Sequence, residues 1–483
     1  MTGFLNDGLA RNFLAGSWVE GDGGAVIAVE DPGLEEHMAD CAQAGEASLA
    51  RALDAARASV DRGDLADMNP HARARMMQRI ATEIRALAEE GAPLLCRESG
   101  KALSAARDEF EEAAAYFEYY GGMADKLEGK SIPLGPDYAD YTLLEPYGVS
   151  AQIVPWNFPV SIAARSLAPS MAAGNATIIK SPELDPIGLA MLGRALERAE
   201  VPAGAVSILN GIGFDLGARL VASSEIDQIV FTGSVPTGQA ILHAAAETVT
   251  PSLMELGGKS AALVFEDADL DTFVASLQSG IFYNAGQVCS AMARVLVHRS
   301  IYEAVVERAA ALANGLSVGH GLDEPDHTPL ASSLQLTSVA ELTSTARQDG
   351  ARVAAGGAPL DRKGHFMAPT ILADVNPASR VAQEEIFGPV ACFTPFDTEA
   401  EAIAMANGTD FGLVAGLFTK DLARSHRVAR RLRAGQVFVN EWFAGGISTP
   451  FGGVGKSGFG REKGLEALQN YVRTKNIAIS LKG

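Results

Sequence analysis

Cysteine is scarce. Cys41, Cys96, Cys289 and Cys392 are the only four in 483 residues, and no two form a CxxC pair. That scatter argues against a disulfide framework and against a zinc site, and it fits a reducing compartment such as the cytoplasm. No apolar run approaches the roughly 20 residues that span a bilayer. The amino terminus, MTGFLNDGLARNFLAGSW, lacks the basic start and apolar stretch of a secretory signal. Positive charge is also short: 39 basic residues face 59 acidic ones, a net charge of -20. Nucleic acid and anionic membranes require clustered Lys and Arg, so neither is expected as a partner. Two nucleotide signatures are missing as well. There is no GxGxxG fingerprint, and directly after FTGSVPTG the residues Gln239 and Ala240 stand where a Walker loop carries Lys and Ser or Thr.

What is present is a globular, turn-rich composition, 47% hydrophobic with 50 glycines and 22 prolines. The length suggests two or three domains. Helical spacing recurs between 47 and 125, at Leu49, Leu53 and Ala56, at Met76, Ile80, Ile84 and Leu87, and at Phe110, Ala114 and Phe117. The stretch KSIPLGPDYADYTLLEPYG is Pro-broken and β-prone, as an arm would be. From Val149 onward, apolar strands alternate with helices: VSAQIVPW, ATIIKS, AVSILNG, QIVFTG and SAALVF, then RVLVHRS, VACFTPF and QVFVNEW. Such a rhythm predicts parallel sheets covered on both faces.

Ligands of parallel sheets bind at the carboxyl ends of strands. Asn157 follows QIVPW. Lys180 and Glu183 follow ATII. Thr232, Gly233 and Ser234 follow QIVF and open a helix, whose free N–H groups suit a phosphate. Glu255 lies in MELGGKS. Cys289 lies in NAGQVCSA, where Asn284, Gly286 and Gln287 make a polar approach unlike the apolar run around a packing cysteine. Each of these residues, taken singly, is also compatible with ordinary turn or capping chemistry.

Together, PWNFP, MELGGKS, NAGQVCSA, EEIFGPV at 384–390, and FVNEW with PFGGVGKSGFGRE at 438–462 resemble the aldehyde dehydrogenase superfamily, in order and over nearly the whole chain. The resemblance implies two Rossmann-like α/β domains and a small β oligomerisation arm. The NAD-binding domain would take 1–125 and 147–256, the catalytic domain 257–460, and the arm and C-terminal segment 126–146 and 461–483. It implies a homodimer or homotetramer. It makes Cys289 the nucleophile, Asn157 an oxyanion donor and Glu255 the general base. A thiolate adds to the aldehyde, a hydride departs to nicotinamide, and water hydrolyses the thioester. Glu255 points to release of the free acid rather than to an acylating enzyme.

By the same resemblance Pro155, Trp156, Lys180, Glu183, Gly233, Ser234, Gly257, Glu385 and Phe387 contact the cofactor. Glu183 favours NAD by repelling a 2′-phosphate, with NADP as the fallback. Phe158, Ile162, Arg165, Tyr283, Trp442 and Phe443 match the substrate tunnel. Arg165 suggests an aldehyde with a carboxylate or polar aromatic tail. Tyr283, the Trp442-Phe443-Ala444 step and GQVCSA suggest instead a broad aliphatic, betaine or amino aldehyde enzyme. A relative that has become a structural or binding protein would have lost Cys289, Asn157 or Glu255.

Overall fold

The computed structural model describes residues 5–6 and 8–482. The amino-terminal stretch examined for a secretory signal therefore lies partly outside the described residues, as does Gly483.

The helical spacing between 47 and 125 resolves into helices Glu46–Asp61, Pro70–Ser99 and Leu103–Gly121. The residues that carry it face inward: Met76, Ile80, Ile84 and Leu87 are buried, and so are Phe110, Ala114 and Phe117. The second helix starts where Asn69 accepts the His71 N–H and Pro70 sets the first turn. It stops at Gly100, whose φ of 80° a side chain would resist.

Two large sheets carry the rest. In the first, parallel strands Val149–Ile153, Ala176–Ser181, Val206–Asn210, Gln228–Gly233 and Ser252–Leu256 form the centre. Ala176–Ser181 and Val206–Asn210 are buried along their whole length. Helix Pro159–Ala173 is buried at every position, because the helical layer covers the face it leaves open. The second sheet has parallel strands Ala261–Val264, Arg294–His298, Thr370–Ala373, Val390–Phe396, Val414–Phe418 and Gln436–Val439, with Arg352–Ala355 antiparallel at one edge. The expected mixed α/β architecture with parallel sheets is what the molecule has.

Three features depart from the sequence reading. Strands Asn12–Leu14 and Ser17–Val19 extend the first sheet antiparallel, and Val26–Asp31 with Glu36–Ala42 build a separate small sheet. Strand Gly458–Phe459 leaves the 257–460 segment and pairs with Ser252–Leu256 of the first sheet. Gly458 allows this, since a Cβ there would lie 1.9 Å from the Met254 carbonyl oxygen. The β-prone stretch and the chain end pair with each other: Tyr138–Pro146 runs antiparallel to Val472–Ser480, with Ser131–Ile132 beside it.

Candidate active site

Strand order fixes where the site can form. From Val149–Ile153 the first sheet grows one way through Ala176–Ser181 and the other way through Gln228–Gly233. Connections therefore diverge between those strands and leave a crevice at their carboxyl ends. A cavity of about 230 Å³ opens there. Its wall includes Pro155, Trp156 and Asn157 after one strand, Gly233 and Ser234 after the other, and Glu255 and Gly257 from the next. A second cavity, of about 500 Å³, meets it from the opposite side. The two share Asn157, Arg165, Cys289 and Phe451.

Cys289 is the one cysteine of the four that is not buried. Its loop is bent by three successive left-handed residues, Asn284 (φ 48°), Ala285 (φ 52°) and Gly286 (φ 74°). Two of these carry side chains, so the conformation needs external support. Gln287 supplies it: its side-chain N–H donates to Asn284 O at 3.1 Å, and its Oε1 accepts the Ala331 N–H at 2.9 Å. Glycines allow the loop to be squeezed from both sides. A Cβ on Gly286 would lie 2.2 Å from Gly388 O, and one on Gly258 would lie 2.5 Å from Cys289 O. The LGGKS, NAGQVCSA and EEIFGPV stretches thus pack backbone against backbone. Burial pushes the Cys289 thiol up to about 11; Arg165 pulls it down, while Glu385 and Glu255 push it further up.

Asn157 is buried, and its amide donates to Gln287 O at 3.0 Å. Glu255 is buried with no hydrogen-bond partner for either oxygen. Burial first, then Glu462, raises its carboxyl well above the ordinary range, against Arg165 and Arg461. Gly452 makes room for it, since a Cβ there would lie 2.7 Å from Glu255 Oε1. This arrangement disfavours the ionised form of Glu255.

On the smaller cavity Glu385 accepts the Gly258 N–H at 3.0 Å. Its Oε2 rests on Gly257, where a Cβ would come within 2.0 Å. Burial lifts the Glu385 carboxyl to about 7 against the Gly258 N–H and Lys259. Phe387 stands edge-on to Trp156, ring centres 5.3 Å apart. Ser234 caps helix Val235–Thr248. Lys180 and Glu183 lie beyond this wall, at the end of Ala176–Ser181, paired at 2.8 Å; Glu183 also accepts the Gly213 N–H at 2.6 Å. Sequence reasoning missed Gln335. It donates to Phe387 O at 2.7 Å and so supports the left-handed Phe387, but a glutamine inside helix Ser333–Gln348 gives no sequence signal.

The larger cavity gathers Phe158, Ile162, Arg165, Tyr283 and Phe443. Trp442 is a correction. Its ring is buried in the core of the second sheet and its N–H donates to Ser290 O at 3.1 Å, so it braces the nucleophile loop from behind. Gly416 pins it there, a Cβ on that glycine falling 2.6 Å from the indole. Arg165 does not stand as a free cation. Its Nε pairs with the fully buried Glu462, and its Nη2 donates to Thr232 Oγ1 at 3.3 Å. Lys463 pairs with Glu112 at 3.2 Å. Asp108, Glu112 and Tyr116, also on this wall, were missed; they recur every four residues along one face of Leu103–Gly121, and that spacing was the available signal.

The geometry sets a thiol, an amide and a carboxyl between a crevice at the strand ends and a larger cavity with aromatic side chains on its wall. The sequence profile of the aldehyde dehydrogenase family matches residues 18–477. A betaine aldehyde dehydrogenase of Cereibacter sphaeroides is 40% identical over 98% of this chain and 97% of its own. Among solved structures, the NAD+ complex of aldehyde dehydrogenase from Bacillus cereus superposes with a TM-score of 0.97 at 36% identity, covering 99% of this chain and 98% of that one. Betaine aldehyde dehydrogenase from Staphylococcus aureus in complex with NAD+ gives 0.96 at 32% identity, covering 98% and 95%. The chain belongs to the aldehyde dehydrogenase family.

Proposed function

We propose that the protein oxidises an aldehyde to the free carboxylic acid with NAD, and that the aldehyde's tail carries no negative charge. The observation that carries the first part is Cys289 on the shared wall of two cavities, one able to take a cofactor and the other an aldehyde.

The residues present fit a dinucleotide. Glu385, one oxygen already satisfied and its carboxylate seated on Gly257, suits a ribose diol. Gly233 and Ser234 lead into the N-terminus of a 14-residue helix, which suits a pyrophosphate. Trp156 and Phe387 offer ring surfaces, and Lys180 with Glu183 would take the second ribose. Bound there, NAD supplies the acceptor for the hydride that leaves the substrate carbon.

The side chains do the rest. Having lost its thiol proton to solvent, Cys289 adds as the thiolate through sulfur to the carbonyl carbon, and the oxyanion takes hydrogen bonds from the Asn157 amide and the Cys289 N–H. Loss of hydride leaves a thioester on Cys289. Glu255, once ionised, takes a proton from water as it attacks that thioester, and the sulfur departs with the acid product free.

The tail is argued from charge. A guanidinium already paired with a buried carboxylate has little attraction left for a substrate carboxylate. Lys463 is matched by Glu112 in the same way, while Asp108 on the same wall makes no ion pair among the described residues. The excess sign is negative. Phe158 and Tyr283 stack at 6.1 Å beside it. This supports the neutral, aliphatic or cationic aldehyde over the carboxylate tail that Arg165 alone suggests, and relatives named for betaine aldehyde point the same way. NADH formation on three aldehydes of equal length, with anionic, neutral and cationic ends, tests it beside Cys289→Ala. The anionic aldehyde is expected to be the poorest; if it is the best, the charge argument fails.

The arm sheet leaves Ile132, Tyr138, Tyr141, Leu143 and Ile479 exposed. Such an edge is normally covered, and we read it as the contact of a homodimer or homotetramer. The free cysteines support a cytoplasmic setting.

A further inference from the structure

A buried ion pair lies behind the nucleophile loop and has no part in the chemistry above. Lys101 follows the left-handed Gly100, which turns the chain inward after helix Pro70–Ser99. It is 1% exposed. Its Nζ pairs with Glu109 of helix Leu103–Gly121, lies 4.7 Å from the centre of the Phe158 ring, and donates to the Asn157 carbonyl at 2.9 Å. The other oxygen of Glu109 accepts the N–H groups of Val160 at 2.9 Å and Ser161 at 3.1 Å, in the first turn of Pro159–Ala173. One ion pair therefore grips both ends of the stretch 157–161.

The Asn157 carbonyl has a second donor, the Asn284 amide at 3.2 Å, which comes from the strained loop of the nucleophile. The helical layer, the first sheet and that loop converge on a single oxygen. Burying two charges is costly, and apolar side chains of similar volume would often fill such a space at less cost. Yet the hydrogen bonds of this pair all end on the Asn157 turn. A primary amide has two N–H groups. One of them goes to Gln287 O. Where the other points depends on how firmly the Asn157 main chain is held.

We infer that Lys101, seated on Glu109, is a positioning residue for the oxyanion donor: its bond to the Asn157 carbonyl fixes the main chain from which the amide reaches toward Cys289. The inference rests on the roles proposed above for Asn157 and Cys289. Lys101 is on the wall of neither cavity, so its loss should lower kcat without weakening the cofactor.

Two variants test this, Lys101→Met and the double variant Lys101→Met/Glu109→Gln. The second removes the carboxylate with which Lys101 pairs, while the buried Glu98 and Asp185 keep theirs. Two rates are read: NADH formation, and hydrolysis of p-nitrophenyl acetate, an ester that acylates a thiolate through the same kind of oxyanion with no cofactor present. In both variants kcat should fall at least tenfold in both reactions, with KM for NAD within twofold of wild type. If the double variant regains the wild-type kcat, Lys101 merely neutralises Glu109 and the inference is overturned. A change confined to KM for NAD or to the melting midpoint overturns it too. Equal ester hydrolysis by wild type and Cys289→Ala would remove the nucleophile assignment itself, and the inference with it, an outcome distinct from a loss specific to Lys101. Should the double variant not fold, Lys101→Met assayed below its own midpoint decides by the same kcat criterion.

Discussion

The two cavities on either side of Cys289 are built by different means. The smaller is fixed by close glycine contacts at and behind its wall: Gly257 under Glu385, Gly258 against the Cys289 carbonyl, Gly286 against Gly388. The larger is made of side chains, many from helices and loops far apart in sequence, with charges cancelled in pairs. The smaller should therefore tolerate almost no added atom, whereas the larger should tolerate changes of shape but not a broken pair.

Breaking a pair should have the largest effect. Arg165→Met leaves Glu462 buried without its ion-pair partner, with the Ser166 hydroxyl still donating to it at 2.6 Å, a loss of about 3–5 kcal/mol. Adding Glu462→Gln should return much of it, as read from denaturant midpoints. If the single variant is as stable as wild type, the pair does not hold the tunnel together. On the other side, Gly257→Ala sets a Cβ on Glu385 Oε2, and KM for NAD should rise about 100-fold, the scale of a misplaced binding group. An unchanged KM would mean that Glu385 is free to move away. Between the cavities, the thiol at about 11 and the raised Glu255 carboxyl both need to ionise. Both ionised forms become commoner as pH rises, so kcat/KM should climb at least tenfold per unit from neutral pH upward until the chemistry ceases to limit. A profile already flat at pH 6 would mean that the bound state lowers both groups. The smallest effect should come from Asp108→Asn at the exposed tunnel wall. KM for a cationic aldehyde should rise about two- to fivefold, more at low salt, with the neutral aldehyde unaffected.

The same contrast explains what could be read from the sequence. Cys289, Asn157 and Ser234 each follow a strand or lie in a glycine-marked turn and Glu255 lies at the end of a strand beside Gly257, so local pattern led to them, while Glu385 came with the resemblance of EEIFGPV. The structure brings them to one crevice because parallel strands end together. The Arg165–Glu462 contact left no such trace. It joins residues almost three hundred positions apart, and no local rule distinguishes a paired arginine from a free one. Trp442 was misplaced for a related reason: an indole looks the same in sequence whether it faces a tunnel or a core. Among the amino-terminal strands, Leu9–Ala10 and Asn12–Leu14 escaped because runs of two or three residues carry no measurable alternation.

The loop of Asn284, Ala285 and Gly286 also bears on how the protein is made. Its supports lie on both sides of it in the chain: Asn157 well before, Ala331 and Gly388 well after. A ribosome delivers them in that order. Until the chain beyond Gly388 has emerged, nothing compresses the loop, and Cys289 is an ordinary thiol on an unfinished polypeptide. The geometry that sets Cys289 between the two cavities thus arrives late in synthesis, once the surrounding walls are in place.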